Sequence, residues 1–383
     1  MKYIRGYLVA AACLAITWLV TQFAASHTVL VDMFYPYVSR MLQTTLAEWS
    51  SALPFCLWQL LAITGVMILL ATVVAMIVLK WNFFQWLGWV LSAAAMLWML
   101  HTGIYGLNSY AGDLSDDIRL TMSDYTVTEL ALATEYYRDM ANSLAVQLAR
   151  DSAGDPVYPD FDTLAQECGE GFETLKYDYQ YAVFAGSTLP VKQLGWTELY
   201  ESMGITGVTM PLTGEAAVDP NIPAVSLPFT MCHEMAHRMC IAYERDANFA
   251  GFLACSVHSD PYIQYSGYFM AFRYCYNALA SVSTSTARAA AQEIYAGVCD
   301  ELLHDLTAYR SYWSAAIDES ANEVATTVNN AYIQASGDES GVSSYDEVYD
   351  MLVCWYIQEI YAPAHTEEEA KFDPLDKTQV DVG

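Results

Sequence analysis

Basic residues are scarce in this sequence. Its 383 residues include 16 lysines and arginines against 44 aspartates and glutamates, which gives a formal net charge of −28 at pH 7. The imbalance lies after residue 107, because residues 108–383 carry 12 basic and 42 acidic residues. Nucleic-acid phosphates are bound by clustered lysines and arginines, so this composition argues against a nucleic-acid partner.

Closely spaced cysteine pairs are missing as well. The nine cysteines include no CxxC pair, so a cysteine-based zinc ribbon is not indicated. Seven of them lie beyond the apolar N-terminal part, and an odd number leaves at least one free thiol even if disulfides form. Cys232 and Cys240 are interpreted as packing or disulfide residues. Internal repeats and Gly/Ser-rich linkers are also missing, which favours one domain after the apolar part.

Charged residues are missing from three long apolar stretches, residues 6–25, 54–79 and 83–107. About 20 apolar residues suffice for a helix to cross a bilayer, so the sequence predicts three transmembrane helices within a membrane domain, 1–107. The first stretch has the basic start and small-residue end of a signal peptide. Its length, and the two spans behind it, favour an uncleaved anchor.

The few basic residues near these spans predict their orientation. Lys2 and Arg5 precede the first span, and Lys80 lies in the short link between the other two. Basic flanks remain in the cytoplasm, so the N-terminus is predicted to be cytoplasmic and the loop 26–53 to face outward. The protein is then a multi-pass protein of the cytoplasmic membrane, with an extracytoplasmic domain, 108–363.

The remainder of the chain reads as mostly helical. Helices are predicted at 126–150, 261–282, 285–317, 319–336 and 344–361, where apolar residues recur at helical spacing. Three short β-prone segments bounded by Gly and Pro, YAVFAG, GVTMPL and AAVDP, predict a small sheet or hairpin between 178 and 218. The polar tail, 364–383, is predicted to be disordered. The fold class is therefore mainly α, with three N-terminal membrane helices and a small β element.

A metal-binding pattern lies in TMCHEMAHRMCIAYERDANF, residues 230–249. His233 and His237 are four residues apart, so a helix places both rings on one face, where they can bind one ion. Glu234 follows the first histidine and lies beside the metal, where its carboxylate can accept a proton from water. This is the HExxH arrangement of zinc peptidases, and it predicts Zn²⁺ as the cofactor.

A catalytic zinc site needs a third protein ligand, and the next segment offers two carboxylates. With Glu244 as the ligand, the segment resembles the second motif of gluzincin peptidases, in which Ala247 permits close packing and Asn248 orients a zinc-binding histidine. Glu244 is only seven residues from His237, however, and no Gly or Pro assists the turn between them. Asp246 therefore remains an alternative ligand.

Two further features are candidates for contact with a substrate. Tyr265 is a candidate donor to the oxyanion, although packing is the alternative in a chain with 28 tyrosines. The predicted strand near 205–218 precedes the metal helix and offers an edge to which a peptide substrate could add, with a purely structural hairpin as the alternative. Glu215 within it is either a substrate contact or a solvated residue.

Longer segments carry a resemblance to a known family. The stretches GITGVTMPLTGEAAVDPNIPAVSLPFTMCHEMAHRMCIAYERDANFAGFLAC, DPYIQYSGYFMAF and VNNAYIQASGDESGVSSYDEVYDMLVCWY resemble bacterial membrane-anchored HExxH proteins, domain-of-unknown-function family 3810. That family is regarded as gluzincin-like zinc metallopeptidases because of the motif. The resemblance implies the same topology over nearly the whole chain. Where members often carry a Gly after HExxHxx, this chain has HRMCIAY.

These patterns lead to one main hypothesis and two alternatives. The main hypothesis is a zinc metalloendopeptidase anchored in the membrane by three helices, which cleaves peptides or proteins outside the cytoplasm with zinc-activated water and Glu234 as general base. One alternative is a non-catalytic envelope sensor or scaffold that binds zinc structurally. Glu234 argues against it, since a structural site needs no base. The other is a membrane-structural protein without metal.

Overall fold

Three long apolar helices form the N-terminal part of the computed structural model, which describes residues 4–336, 347–364 and 379–380. The long helices before residue 105 are α1 (Arg5–Ser26), α2 (Thr28–Ser51), α3 (Leu57–Val78) and α4 (Phe83–Ile104). Helices α1, α3 and α4 are long and apolar enough to cross a membrane. The three predicted spans are thus confirmed to within a few residues at each end, and they indicate a membrane protein.

Helices α1 and α4 pack side by side and run parallel. A Cβ atom on Gly6 would lie 2.4 Å from the carbonyl carbon of Gly88, and further along the same pair Cys13 packs with Ala95. Small residues at such contacts let two membrane helices approach closely. The N-terminal ends of both helices therefore lie on one side, together with Lys80. Which side is cytoplasmic stays a prediction, to be checked by protease treatment of spheroplasts, in which the C-terminal domain should be digested.

The segment predicted as an outer loop, 26–53, is instead the helix α2. Arg40 Nε donates to the carbonyl of Met239 at 3.2 Å, and Gln43 Nε2 donates to the carbonyl of Pro211 at 3.1 Å. The face that α2 buries is therefore partly polar and is held by hydrogen bonds. These buried polar side chains are not part of the apolar pattern from which helices are predicted. Helix α2 packs on the C-terminal domain, within which both acceptors lie.

The start of α3 is held by a buried carboxylate. The two carboxylate oxygens of Glu215 accept hydrogen bonds from the backbone N–H groups of Leu57 (2.8 Å) and Trp58 (2.9 Å). Lys192 Nζ lies 2.6 Å from the same carboxylate, and Glu215 is only 2% exposed. The first N–H groups of a helix have no partner within the helix and attract negative charge. Glu215 is therefore neither a solvated residue nor a substrate contact, and it fastens a membrane helix to the C-terminal domain.

We expect Glu215→Ala to lower the free energy of unfolding by about 3–5 kcal/mol, because it removes the charged partner of the partly buried Lys192 ammonium and the acceptor of two N–H groups of α3. Unfolding of the purified protein in detergent by heat or urea measures the change. Asp155→Ala is the matched control, since it breaks an exposed pair with His304 and should cost at most about 1 kcal/mol. Equal losses in the two variants would contradict the structural role of Glu215.

The C-terminal domain is mainly α-helical, as predicted. Its helices are α5 (Leu114–Asp117), α6 (Val127–Ala145), α7 (Phe161–Glu167), α8 (Gly169–Tyr177), α9 (Thr197–Ser202), α10 (Leu227–Arg238), α11 (Glu244–Ser256), α12 (Pro261–Ser281), α13 (Ser285–Ala296), α14 (Asp300–Ala316), α15 (Glu319–Ser336), α16 (Val348–Trp355) and α17 (Ala362–Ala364). A π-helical turn, Tyr356–Tyr361, joins the last two.

One predicted helix, 285–317, is divided into α13 and α14. The side-chain amide of Asn142 donates to the carbonyl of Gly297 and accepts from the N–H of Cys299, both at 2.9 Å. These bonds hold the break by satisfying backbone groups that a continuous helix would pair internally. Asn142 is distant in the sequence, so the apolar spacing of 285–317 contained no sign of the break.

The core of the domain lies where α6, α11 and α12 meet. Helix α6 begins with a capping box in which Thr126 and Glu129 bond each other's backbone N–H groups. Tyr137 of α6 is fully buried against Phe252 of α11 and Tyr268 of α12. Burying a large aromatic side chain contributes on the order of 1.5–3 kcal/mol. This packing fixes α11 and α12 beside α10, the helix that carries HExxH.

A small sheet lies beside α10. Its strands are β2 (Lys192–Gln193), β3 (Gly207–Met210) and β4 (Glu215–Val218), whereas β1 (Tyr125–Thr126) pairs with β5 (Gln379–Val380). The order is β2–β4–β3, with β4 parallel to β2 and antiparallel to β3. The predicted hairpin before the metal helix is confirmed, but YAVFAG forms a 3₁₀ turn, Ala182–Phe184. Apart from residues 364 and 379–380, the tail predicted to be disordered lies outside the described residues.

The β3–β4 turn rests on α2. Gly214 has a φ of +65°, a left-handed conformation that favours glycine, and a Cβ atom there would lie 2.5 Å from the backbone nitrogen of Ala47. The turn thus approaches the backbone of α2 more closely than any residue with a side chain permits. As a consequence, the sheet beside α10 is held in place by α2.

Candidate metal centre

Helix α10 carries both histidines and ends in a tight turn. Pro228 lies in its first turn, where the missing N–H costs nothing. At the other end Cys240 adopts a left-handed φ of 72°, while the N–H of Ile241 donates to the carbonyl of Ala236 and that of Cys240 to the carbonyl of His237. This is a Schellman motif with cysteine where glycine is usual. Because Cys240 adopts this conformation, the chain turns between α10 and α11 without Gly or Pro.

The same turn orients the ring of His237. Nδ1 of His237 lies 2.8 Å from the carbonyl oxygen of Ile241. A carbonyl oxygen only accepts, so Nδ1 must carry the hydrogen, and the lone pair of a neutral ring is then on Nε2. Such a hydrogen bond from the outer ring nitrogen to a carbonyl is typical of histidines that bind metals. Sequence reasoning had not identified this partner.

The two histidines and Glu244 converge at one point. Nε2 of His237 lies 3.1 Å from Nε2 of His233 and 3.2 Å from Oε2 of Glu244, and His233 Nε2 lies 3.3 Å from the same oxygen. Helix α11 begins at Glu244, directly after the turn, which brings its carboxylate over the two rings. Within the described chain these three side chains form a group that could hold a metal ion.

The electrostatics of the group favour one bound positive charge. Burial disfavours the charged form of His237, but the neighbouring Glu244 carboxylate outweighs it and raises the pKa of His237 to about 9. Burial would likewise raise the pKa of Glu244, yet His237 and His233 hold it well below its usual range. A proton or a metal ion can supply this charge, and binding a metal there would release the proton.

Glu234 lies beside the group and is held by β3. Its Oε2 accepts a hydrogen bond from Thr209 Oγ1 at 2.7 Å, and a Cβ atom on Gly207 would lie 2.5 Å from its Oε1. Gly207 therefore lets the strand pass directly over the carboxylate. Glu234 is 4% exposed, and burial raises its pKa above the ordinary value, although the two histidines oppose this. A raised pKa suits a group that accepts and returns a proton near neutral pH.

Comparison with known proteins places the chain in a family. The family model described as "Protein of unknown function (DUF3810)" matches residues 31–353, most of the chain. The chain belongs to this family. The match begins within α2, so it includes α3 and α4 but not α1, whereas the resemblance had implied all three spans. No curated protein and no solved structure matches the chain.

The two carboxylates considered as third ligand occupy different places in this DUF3810 protein. Glu244 contacts both histidines, whereas Asp246 is buried elsewhere. Oδ2 of Asp246 accepts the N–H of Leu114 at 2.9 Å, and its Oδ1 lies 3.1 Å from Nε of Arg245. Both of its oxygens are thus engaged, one in joining α11 to α5 and the other in a contact within α11. The geometry favours Glu244 as the ligand, and its role as such stays a prediction.

The other predicted site residues have structural partners. The Asn248 amide oxygen lies 3.5 Å from the hydroxyl of Tyr274. Nδ1 of His233 is buried without a hydrogen-bond partner in the described part of the chain, so the orienting role of Asn248 stays a prediction. Tyr265 is fully buried, and its hydroxyl donates to Asp305 at 2.5 Å. The donor that an oxyanion would need is therefore occupied, which favours the packing alternative for Tyr265.

Two further residues that touch the end of α10 come from the helices before residue 108 in this DUF3810 protein. Tyr105, at the end of α4, donates from its hydroxyl to the carbonyl of His237 at 3.1 Å. Ser39 of α2 lies 3.2 Å from the thiol of Cys240, which is free like the other eight cysteines. No local pattern identifies either contact, since each joins residues more than 130 positions apart. The turn that positions His237 is therefore held by α2 and α4.

Proposed function

We propose that this protein is a membrane-anchored zinc metallopeptidase that hydrolyses peptide bonds. The observation that supports it most is the separation of roles within one turn of α10. Two histidines and Glu244 direct three ligand atoms to one point, while Glu234 lies outside this group and accepts a hydrogen bond from Thr209. A structural metal site has no use for an adjacent carboxylate that binds no metal, whereas hydrolysis requires a base there.

The spacing of the ligand atoms suits zinc. Three atoms at the usual zinc distances, about 2.0–2.2 Å, in a tetrahedral arrangement lie roughly 3.3–3.6 Å from one another. The distances among His233 Nε2, His237 Nε2 and Glu244 Oε2 are 3.1–3.3 Å. Two imidazoles and one carboxylate are also the ligand set of several zinc hydrolases. When bound, zinc supplies a Lewis acid that polarises a carbonyl and makes water more acidic.

Glu234 is positioned to move the proton. As a carboxylate it accepts a proton from the attacking water, and as the acid it returns that proton to the leaving amine nitrogen. Thr209 holds one oxygen, and the backbone at Gly207 closes over the other side. The carboxylate is thereby kept in one orientation while little water reaches it. Such fixed placement of a proton-transfer group contributes about 100- to 10,000-fold to the rate.

Strand β3 offers a place for the peptide backbone. It pairs only with β4 in the described part of the sheet, so its outer edge has N–H and C=O groups available. An extended peptide that adds to this edge would form main-chain hydrogen bonds independent of its sequence. Because Gly207 and Thr209 contact Glu234, a peptide bound along β3 would lie close to the base.

The metal content of the full-length protein tests the proposal. Purified in detergent, the protein should hold about one zinc per chain and hydrolyse members of a mixed peptide library. A chelator should abolish hydrolysis, and added zinc should restore it, because in this proposal zinc polarises the carbonyl and activates the water. A protein that binds no zinc would contradict the proposal. One that binds zinc but cleaves nothing would favour the sensor or scaffold hypothesis.

A further inference from the structure

A large cavity opens between α12, α14 and the segment that leads into β3. Its volume is about 1020 Å³, and its walls include Thr206, Phe272, Arg273, Tyr309 and Trp313. This volume corresponds to a site for a small molecule or for several amino-acid side chains. The metal ligands are not part of its lining, and neither is Glu234.

Two residues of the cavity lining are next in sequence to residues that pack near the metal centre. Thr206 directly precedes Gly207, which packs on Glu234. Arg273 directly precedes Tyr274, whose ring packs against Phe229 at a centroid distance of 6.2 Å. Phe229 is one helical turn before His233 and shares its face of α10. A peptide lying along β3 in the direction of Thr206 would run from Glu234 towards the edge of the cavity.

The cavity has an unusual charge for this protein. Arg273 stacks on Tyr309, with its guanidinium carbon 3.9 Å from the ring centroid, and Arg310 is the next residue along α14. The C-terminal domain is strongly acidic, and five of its basic residues are already paired with carboxylates: Arg138, Arg150, Lys176, Lys192 and Arg245. Among the residues that the structure describes, neither Arg273 nor Arg310 makes such a pair. Glu319 also borders the cavity, and the two arginines outweigh it.

Arg273 is arranged to bind a carboxylate, and Arg310 is an exposed second arginine in the lining. Stacking on Tyr309 fixes the plane of the Arg273 guanidinium and leaves N–H groups at its edge, the geometry in which arginine bonds a carboxylate with two parallel hydrogen bonds. The aromatic walls, Tyr276, Tyr295 and Trp313, suit the apolar stem of the group that carries the charge. A neutral substrate in the cavity would leave Arg273 with only the sulfur of Met270 and the ring of Tyr309 as partners.

We propose that this cavity is a specificity subsite that binds a carboxylate of the peptide substrate through Arg273 and Arg310. The inference rests on the proposed peptidase function and adds a substrate class to it. The carboxylate can come from an aspartate or glutamate side chain near the cleaved bond, or from the C-terminus of a short peptide. In either case the acidic surface of the domain repels the substrate weakly, since charges beyond about 8 Å are screened at physiological salt.

The test is a panel of peptides cleaved by the full-length protein in detergent. One glutamate is moved through each position of an otherwise neutral sequence, with glutamine as its match, and each peptide is made with a free and an amidated C-terminus. We expect one glutamate position, or the free C-terminus, to raise kcat/KM about 10- to 100-fold, the size of a charge-assisted hydrogen bond. The position that responds distinguishes the two sources of the carboxylate.

Variants of the arginines supply the control. The double variant Arg273→Glu, Arg310→Glu should abolish the preference and favour lysine at the same position, whereas Arg288→Gln, an exposed arginine of α13 outside the cavity, should leave it unchanged. Zinc content should be equal in all three proteins, which shows that the fold is retained. A wild-type protein that cleaves glutamate and glutamine peptides equally well would overturn the proposal, as would a preference that survives the double variant.

Binding separates this proposal from the peptidase function itself. Fluorescence anisotropy of the labelled peptides with Glu234→Gln protein needs no hydrolysis. The subsite predicts that the glutamate peptide binds at least about tenfold more tightly than the glutamine peptide, and that the arginine double variant loses this difference. If this is observed but the wild type cleaves no peptide, the subsite is supported and the peptidase function is contradicted. Equal binding of the two peptides would overturn the subsite.

Discussion

Glu234→Gln should reduce peptide hydrolysis by at least about 100-fold while leaving the zinc content at one per chain. Glutamine has nearly the shape of glutamate and still accepts the hydrogen bond from Thr209, but it cannot take up a proton from water. Glu234 makes no ion pair with the cluster of His233, His237 and Glu244, so its charge is not needed to complete the ligand set. The measurement is the rate of cleavage of a library peptide, with zinc determined on the same sample.

A matched control is Glu198→Gln, which removes an exposed carboxylate on α9 and should alter neither rate nor zinc content. Equal cleavage by the wild type and Glu234→Gln would rule out Glu234 as the base. Loss of zinc from Glu234→Gln would show instead that this carboxylate helps to bind the metal. Either result would contradict the role of general base that we propose for Glu234 from its position.

Glu244→Ala should abolish zinc binding, and hydrolysis with it, whereas Asp246→Ala should retain zinc. Glu244 supplies one of the three ligand atoms, and two histidines alone do not complete a catalytic zinc site. Asp246 instead holds the N–H of Leu114 and the guanidinium of Arg245, so its loss should destabilise the fold by roughly 1–3 kcal/mol. Zinc per chain after dialysis, together with the unfolding midpoint, distinguishes the two effects.

Asp246→Ala could lose zinc only because it unfolds. Asp246→Asn controls for this, because asparagine keeps the shape of the side chain. His237→Ala serves as the positive control for zinc loss. Should the Asp246 variants lose zinc while folded and Glu244→Ala keep it, Glu244 would not be the third ligand.

These experiments need the full-length protein. Two hydrogen bonds hold the turn that positions His237. Arg40 of α2 donates to the carbonyl of Met239, and Tyr105 at the end of α4 donates to the carbonyl of His237. A fragment that begins at residue 108, the boundary the sequence predicted for the exported domain, would lose both. Helices α2 and α4 therefore hold the turn next to His237, in addition to any role in anchoring the protein.

Features that depend on neighbours in the sequence were predicted from the sequence. The three membrane helices are recognisable from the sequence because burying a charge in lipid is costly, which excludes charged residues over about 20 positions. His233 and His237 share a face because a helix repeats every 3.6 residues, which is independent of the rest of the fold. Glu244 was a candidate because its segment resembles the second motif of gluzincin peptidases, although its short spacing from His237 left Asp246 as an alternative.

Only the tertiary structure decided what depends on distant contacts. It showed α2 as a helix with a partly polar buried face, gave Glu215 the first N–H groups of α3, and set Gly207 against Glu234. It also chose Glu244 over Asp246 as the carboxylate beside the histidines, because Asp246 finds its partners on α5 and within α11. Each of these outcomes depends on a hydrogen bond or close approach between residues brought together by folding. Composition and spacing along the chain do not encode such pairs, and for that reason the sequence predicted the metal pattern but not the residues that hold it in place.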